Sequence, residues 1–338
     1  MIFTIDYELF GNGAGNLIDH VIQPTKTLKK IFDTYDSTFV IFFEAAEFKK
    51  ISEFQTDKNI RVIENQVYSL YQDDYEIALH IHPQWFNAVY RGNNWILDFD
   101  EYNLSNLNEE KINNYLNQSL NYLRKIIKNK DYLPLAYRAG GWLIQPSEII
   151  SNVLFNNGIK IDSSVFKGGR QLYRGFNFIP SIKNPYWWKF NNNVNKPEIN
   201  GKLFEIPIYT RMVPFWEMYS SKRRKIIKEN NMNKRYIDYS KSIKETLFNY
   251  FDMLRLFYPK KLDFSKMTFS ELKFELDNII NKDMKSYEEY KPIVLIGHTK
   301  NLNDFDTIIK TLDYLKSKGI NVGTFHDALI NINTRVKI

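Results

Sequence analysis

Residues 2–8 read Ile-Phe-Thr-Ile-Asp-Tyr-Glu, an apolar run that stops at two carboxylates, Asp6 and Glu8. Side chains in a strand alternate with period two, so these carboxylates share one face at the strand's end. Residues 76–85, Glu-Ile-Ala-Leu-His-Ile-His-Pro-Gln-Trp, repeat the arrangement with imidazoles: His80 and His82 again stand two apart. Three of these four groups converging would suit Zn²⁺ or a similar divalent ion, and the fourth would remain as a base. At this point either carboxylate can take either role.

Outward from these stretches, strand-like runs alternate with amphipathic helices. Strands are predicted over Ile2–Asp6, Thr38–Phe43, Ile77–Leu79, Ala136–Arg138, Lys160–Asp162, Leu203–Ile208, Ile293–Gly297 and Asn321–Thr324. Helical spacing joins Leu28, Ile31, Phe32 and Tyr35, then Ile112 through Ile127, then Ile308, Leu312 and Leu315. A further helix opens with Pro146 and stops at Gly158. Such alternation implies a parallel sheet, open or closed into a barrel. The predicted strands end in polar groups: Asp6 and Glu8, Glu44, His80 and His82, Arg138, Asp162, Tyr209 and His298. In a parallel α/β fold these ends share the face where ligands bind.

Bulk composition bounds the rest. The 338 residues suit one barrel domain spanning 1–338, and 43% hydrophobic residues can fill its core. No cysteine is present, so a metal must be held by His, Asp or Glu. Strand-like sequence from Ile2 leaves no room for a leader, and no uncharged apolar run approaches membrane-span length. The expected location is therefore cytoplasmic, with no integral membrane segment. The net charge of +7 favours an anionic partner or peripheral contact with an anionic membrane. No nucleic-acid-binding signature accompanies it. Two regions break the alternation: an aromatic loop at 166–202, and 217–290, read as a helical insertion over one side of the barrel.

The motifs also resemble a family. Thr4-Ile-Asp-Tyr-Glu8 is similar to the first motif of the polysaccharide deacetylases, the chitooligosaccharide deacetylase superfamily. Glu76–Trp85 resembles their histidine motif, Tyr137-Arg-Ala-Gly-Gly-Trp142 their arginine motif and Leu295-Ile-Gly-His298 their closing motif. Gly158–Ser164 and Phe204–Pro207 are similar to further stretches, and the order is kept from Phe3 to His298. The resemblance implies a distorted (β/α) barrel and metal-dependent hydrolysis of an N-acetyl group on a sugar. It implies Asp6 as catalytic base, Arg138 as the group that orients it and His298 as general acid. Glu8, His80 and His82 would bind the metal, with zinc first among the candidates. Glu44, Gln84, Trp142 and Asp162 would support the site or touch substrate, and a carboxylate such as Asp162 would raise the His298 pKa.

Two departures from the family pattern stand out. Tyr7 separates carboxylates that are adjacent in the usual motif, and position 84 is Gln where the usual histidine spacing would place the second histidine. The expected substrate is an N-acetylated sugar linked to a nucleotide or lipid pyrophosphate, in surface-polysaccharide biosynthesis. The alternatives are attack on another carbon–nitrogen bond, such as a formamide, by hydrolysis or transfer, and a catalytically silent sugar-binding barrel.

Overall fold

In the computed structural model, the structure describes residues 1–220, 222–226, 228, 254–283 and 290–335. The chain opens with β1 (Ile2–Tyr7), α1 (Gln23–Thr34), β2 (Val40–Glu44), α2 (Ala45–Phe54), α3 (Ile60–Gln72) and β3 (Ile77–Ile81). It continues with α4 (Glu109–Ile127), β4 (Ala136–Ala139), α5 (Ser147–Asn156), β5 (Ile161–Asp162), β6 (Trp188–Phe190) and β7 (Leu203–Glu205). Then come β8 (Thr210–Pro214), β9 (Phe257–Lys261), α6 (Phe269–Asp283), β10 (Val294–His298), α7 (Phe305–Ser317) and α8 (Phe325–Arg335).

Eight strands form one sheet in the order β6-β7-β5-β4-β3-β2-β1-β10, parallel except for the pairing of β6 with β7. Every residue of β1, β2, β3 and β10 is buried, as expected of parallel strands covered on both faces. Beyond β7 the chain curls round until Ile208 bridges Val294 of β10, so the sheet's two sides approach closure. The result is a distorted barrel with helices outside.

The helices begin where the sequence supplies acceptors. Glu44 ends β2 and caps α2, accepting from Ala46 N–H at 3.0 Å and Glu47 N–H at 3.2 Å. Asn108 caps α4 and Asp304 caps α7 in the same way. Aromatic edges lock the helix layer to the sheet: Phe3 meets Phe32 at 5.2 Å, Phe32 meets Phe39 at 5.1 Å, and Phe39 meets Tyr75 at 4.8 Å.

Three expectations need correction. Asn321–Thr324 is not a strand; β1 already has β2 and β10 on its two edges, and the segment instead holds the N-terminus through Asn321 O and the Gly323 N–H. The aromatic loop contains order of its own: Trp188 and Phe190 face inward two residues apart as the edge strand β6, and the Trp188 indole N–H donates to Val194 O at 2.8 Å. The region 217–290 is not simply helical. Its β9 pairs antiparallel with β8, and Leu262–Phe264 runs beside β10 with Asp263 bridging Ile296. Helix α6 follows and packs on α7, whose Tyr314 hydroxyl donates to Asp277. The rest of the expected insertion, at 221, 227, 229–253 and 284–289, lies outside the described residues.

Candidate active site

Parallel register gathers the strand-end groups. Asp6 of β1 pairs with His298 of β10, Glu44 of β2 with His80 of β3, and His80 in turn with Arg138 of β4. Residues far apart in sequence therefore meet at one level of the barrel, and all of them are buried.

Two sub-clusters result. In the first, Arg138 donates from Nη1 to Asp6 Oδ1 at 2.5 Å, from Nη2 to Thr4 Oγ1 at 3.0 Å and from Nε to Ser163 O at 2.9 Å. Its guanidinium also lies 3.8 Å from the Phe42 ring centroid. The other oxygen of Asp6 faces His298 Nε2 at 3.4 Å. Burial alone would raise the Asp6 pKa, but Arg138 first and then His80 outweigh it, so the group lies below the ordinary aspartate range. Asp6 is thus an ionised carboxylate fixed at one oxygen with the other facing the site.

In the second, Glu8 Oε2 lies 3.6 Å from His80 Nε2 and 3.4 Å from His82 Nδ1. Lys300 donates to Glu8 Oε1 at 2.7 Å and to Leu9 O at 2.8 Å. Burial opposes ionisation of Glu8, yet Lys300 and the two histidines hold it well below the usual range. His80 is anchored through Nδ1 to Arg138 O at 2.8 Å, and His82 through Nδ1 to Glu44 Oε2 at 2.8 Å. For His80 the anchored nitrogen is the far one, which leaves Nε2 toward Glu8 for a metal; for His82 it is the anchored Nδ1 that lies nearer Glu8. For His80, burial pulls the pKa down, but Glu8 close by at 3.6 Å and the charges of Asp6 and Glu44 lift it to about 9.

The donor set fits a divalent cation. One ligand atom each from Glu8, His80 and His82 lies within 4.8 Å of the others, and His80 Nε2 is buried without a hydrogen-bond partner among the described residues. Two imidazoles and a carboxylate match the ligand chemistry of catalytic zinc sites. Asp6, Glu8 and His298 satisfy the same spacing, but Arg138 already occupies one Asp6 oxygen. Close packing explains two glycines of the motifs. A Cβ at Gly140 would meet the His82 ring at 2.6 Å, and one at Gly297 would meet the Phe264 ring at 2.5 Å.

The remaining sequence candidates are placed differently. Glu44 serves both the α2 cap and His82. Gln84 is fully buried, and neither amide atom has a partner among the described residues. Trp142 follows Arg138 on the Gly140–Trp142 turn, with its ring against Lys261 and Phe166. Asp162 does not act on His298. It lies on β5, pairs in register with Glu205 of β7 and accepts from Ser164 Oγ at 2.6 Å; burial pushes both carboxyls up, and the two sit together. The acidic neighbours of His298 are Asp6 and Asp263, and they do not prevail: burial, then Lys266, push its pKa down to about 3. The expected protonated imidazole is therefore a neutral one.

Sequence reading missed Lys300, Asp263 and Lys261. Lys300 follows the closing histidine by two residues and was visible, but a lysine after a strand is ordinarily solvated. Asp263 and Lys261 were hidden inside a segment read as helical.

No protein-family model matches this chain, and no curated protein matches it. Solved structures with a similar fold include a protein assigned as a polysaccharide deacetylase from Mycobacterium smegmatis, 12% identical, covering 92% of this chain and 77% of that one at a TM-score of 0.47. A CE4 family pseudoenzyme from Bacillus anthracis is 8% identical, covering 96% of this chain and 63% of that one at 0.42. PuuE allantoinase is 12% identical, covering 94% and 83% at 0.46.

Proposed function

We propose that this chain is a metal-dependent amide hydrolase that removes the acetyl group from an N-acetylated sugar. The observation that carries the reading is the juxtaposition of two unlike clusters: a His-His-Glu trio suited to a cation, and an ionised Asp6 fixed by Arg138 beside a neutral imidazole. The ordered motif resemblance points the same way.

A divalent ion held by Glu8, His80 and His82, zinc before others, would supply Lewis acidity to the amide carbonyl and to water. The chain's own groups do the rest. Asp6 cannot swing away, because Arg138 is itself tied to Thr4 and Ser163. Its free oxygen accepts the proton from the attacking water. His298, neutral at rest and 3.4 Å from that oxygen, carries a proton to the departing nitrogen. This differs from a resting imidazolium acid: the proton His298 delivers is the one Asp6 has just received.

For the substrate we favour an N-acetylated sugar carried on a nucleotide or lipid pyrophosphate, met in the cytoplasm during surface-polysaccharide assembly. The +7 charge supports an anionic carrier. Among the described residues no helix is long and apolar enough to cross a membrane. One contact favours a rival, the catalytically silent barrel: the Lys300 ammonium already neutralises Glu8 without a metal. Purification without chelator separates the two. We expect one equivalent of divalent metal, and acetate released from N-acetylated amino sugars. A chain without metal and without acetate release would be the silent barrel, and formate from N-formyl sugars alone would move the reaction to formamides.

A further inference from the structure

Lys261 ends β9, paired in register with Thr210. Its neighbour Lys260 sits on the opposite face of the strand, where Glu275 and Glu271 lie 3.6 and 3.9 Å away. Lys261 has no such partner. Its ammonium stands 3.3 Å from the Trp142 ring centroid and 4.5 Å from that of Phe166. Among the described residues no carboxylate or carbonyl bonds to it.

The surroundings are organised for this contact. Trp142 holds a left-handed backbone at φ 63°, directly after Gly141 at φ 59°. That conformation is uncommon and costly for a bulky residue, and such outliers concentrate at functional sites. The turn begins two residues after Arg138, which anchors Asp6, at Gly140, whose backbone packs on the His82 ring. On the other side, Asp263 follows Lys261 by two residues and runs beside β10 just before His298. Other cations nearby are already engaged: Lys266 with Asp263 at 3.3 Å, and Arg223 with Met218 O at 3.3 Å. Burial of the Lys261 ammonium and the charge of Lys266 hold it well below the usual lysine range, while Asp263 and Asp6 only partly offset this. The residue as a whole is half-buried and partly open to solvent. An anion arriving from solvent would supply what the protein omits.

An indole that carries an unpaired ammonium over one face complements a sugar ring with an anionic substituent: the sugar packs against the indole's remaining surface and the anion accepts from nitrogen. We propose that Lys261, presented on Trp142 and Phe166, is the specificity residue of this site and binds a phosphate or carboxylate on the substrate sugar. The identity of the reacting amide rests on the hydrolytic reading above; the anion subsite does not.

The test is calorimetric binding to the full chain of three probes: N-acetylglucosamine, its 1-phosphate, and the corresponding N-acetylated uronic acid. At least one anionic sugar is expected to bind about tenfold or more tighter than the neutral one, the scale of a charge-assisted bond. Lys261→Met, which keeps the apolar stem, should erase the preference, and Lys261→Arg should retain it. Preference for the phosphate alone or the uronic acid alone identifies the anion's source. Equal binding of all three sugars to the unaltered chain would overturn the proposal whether or not a variant folds. So would a preference that survives in folded Lys261→Met. Anion preference with no acetate released would sink the hydrolytic reading and support the subsite.

Discussion

The rim formed by β1, β2, β3, β4 and β10 and the arm formed by β8, β9 and Leu262–Phe264 both contribute to one site, by opposite routes. On the rim, parallel register alone sets Asp6 beside His298 and Glu44 beside His80 beside Arg138. On the arm, an antiparallel pair whose strands lie far apart in sequence delivers Lys261 and Asp263. The rim is a closed set of mutually bonded charges; the arm leaves one cation resting on aromatic faces. On the proposed reading, chemistry that must be fixed is placed on the sheet, and discrimination between substrates on the structure added to it.

The sharpest way to break this contrast is at the rim's most buried charge. Arg138→Leu strands Asp6 without its counter-ion and should cost about 3–5 kcal/mol in urea unfolding, with activity lost. A cost under about 1 kcal/mol would mean that the rim is not held by its charges.

Next in size is the division of labour between the two carboxylates. Asp6→Asn should cut turnover by at least about a hundredfold while metal content stays at the unaltered level. Glu8→Gln should instead lose metal. Metal analysis showing the reverse pattern would exchange the roles of base and ligand.

Glu44→Gln probes the support beneath His82. It can still cap α2 but no longer offers His82 a carboxylate, and metal affinity should fall about 10- to 100-fold. The pH dependence of that affinity carries a sign. His80 holds its proton up to about pH 9, and a ligand must give that proton up, so affinity should rise with pH and level off above about 9. A flat profile between pH 6 and 8 would remove His80 from the ligand set.

The smallest effect belongs to Lys222, between β8 and β9 in the chain. Lys222 is already bonded to Asp304 at 2.9 Å and to Met267 O at 2.7 Å. Lys222→Met should change stability by no more than about 1 kcal/mol and leave KM for phosphorylated sugars unaltered. A raised KM for those sugars alone would shift anion recognition from Lys261 to Lys222.

Legibility in the sequence followed the same divide. Asp6, Glu44, His80 and His298 could be read because each interrupts an apolar run that has no reason to end in charge. Their convergence needed only the rule that parallel strand ends share a face. Lys261 gave no such signal: its strand is short, carries Pro259, and finds its partner across a long sequence gap. Charge there looks like a solvated helix. Asp162 was credited with tuning His298 because both end strands, yet β5 and β10 are not neighbours in the sheet order. Strand-end polarity identifies the face, whereas adjacency on it depends on strand order, which local pattern does not encode.

Glu44 divides its two oxygens between tasks, one holding the first amides of α2 and the other holding His82. Zinc, the ion proposed for this site, has no colour and no unpaired electron, so its arrival would be hard to watch directly. A carboxylate shared in this way makes the helix start a reporter. Charge drawn from His82 toward an ion should be felt by the Ala46 and Glu47 amides, whose hydrogen exchange would then register loading of the site from two backbone positions that never touch the metal.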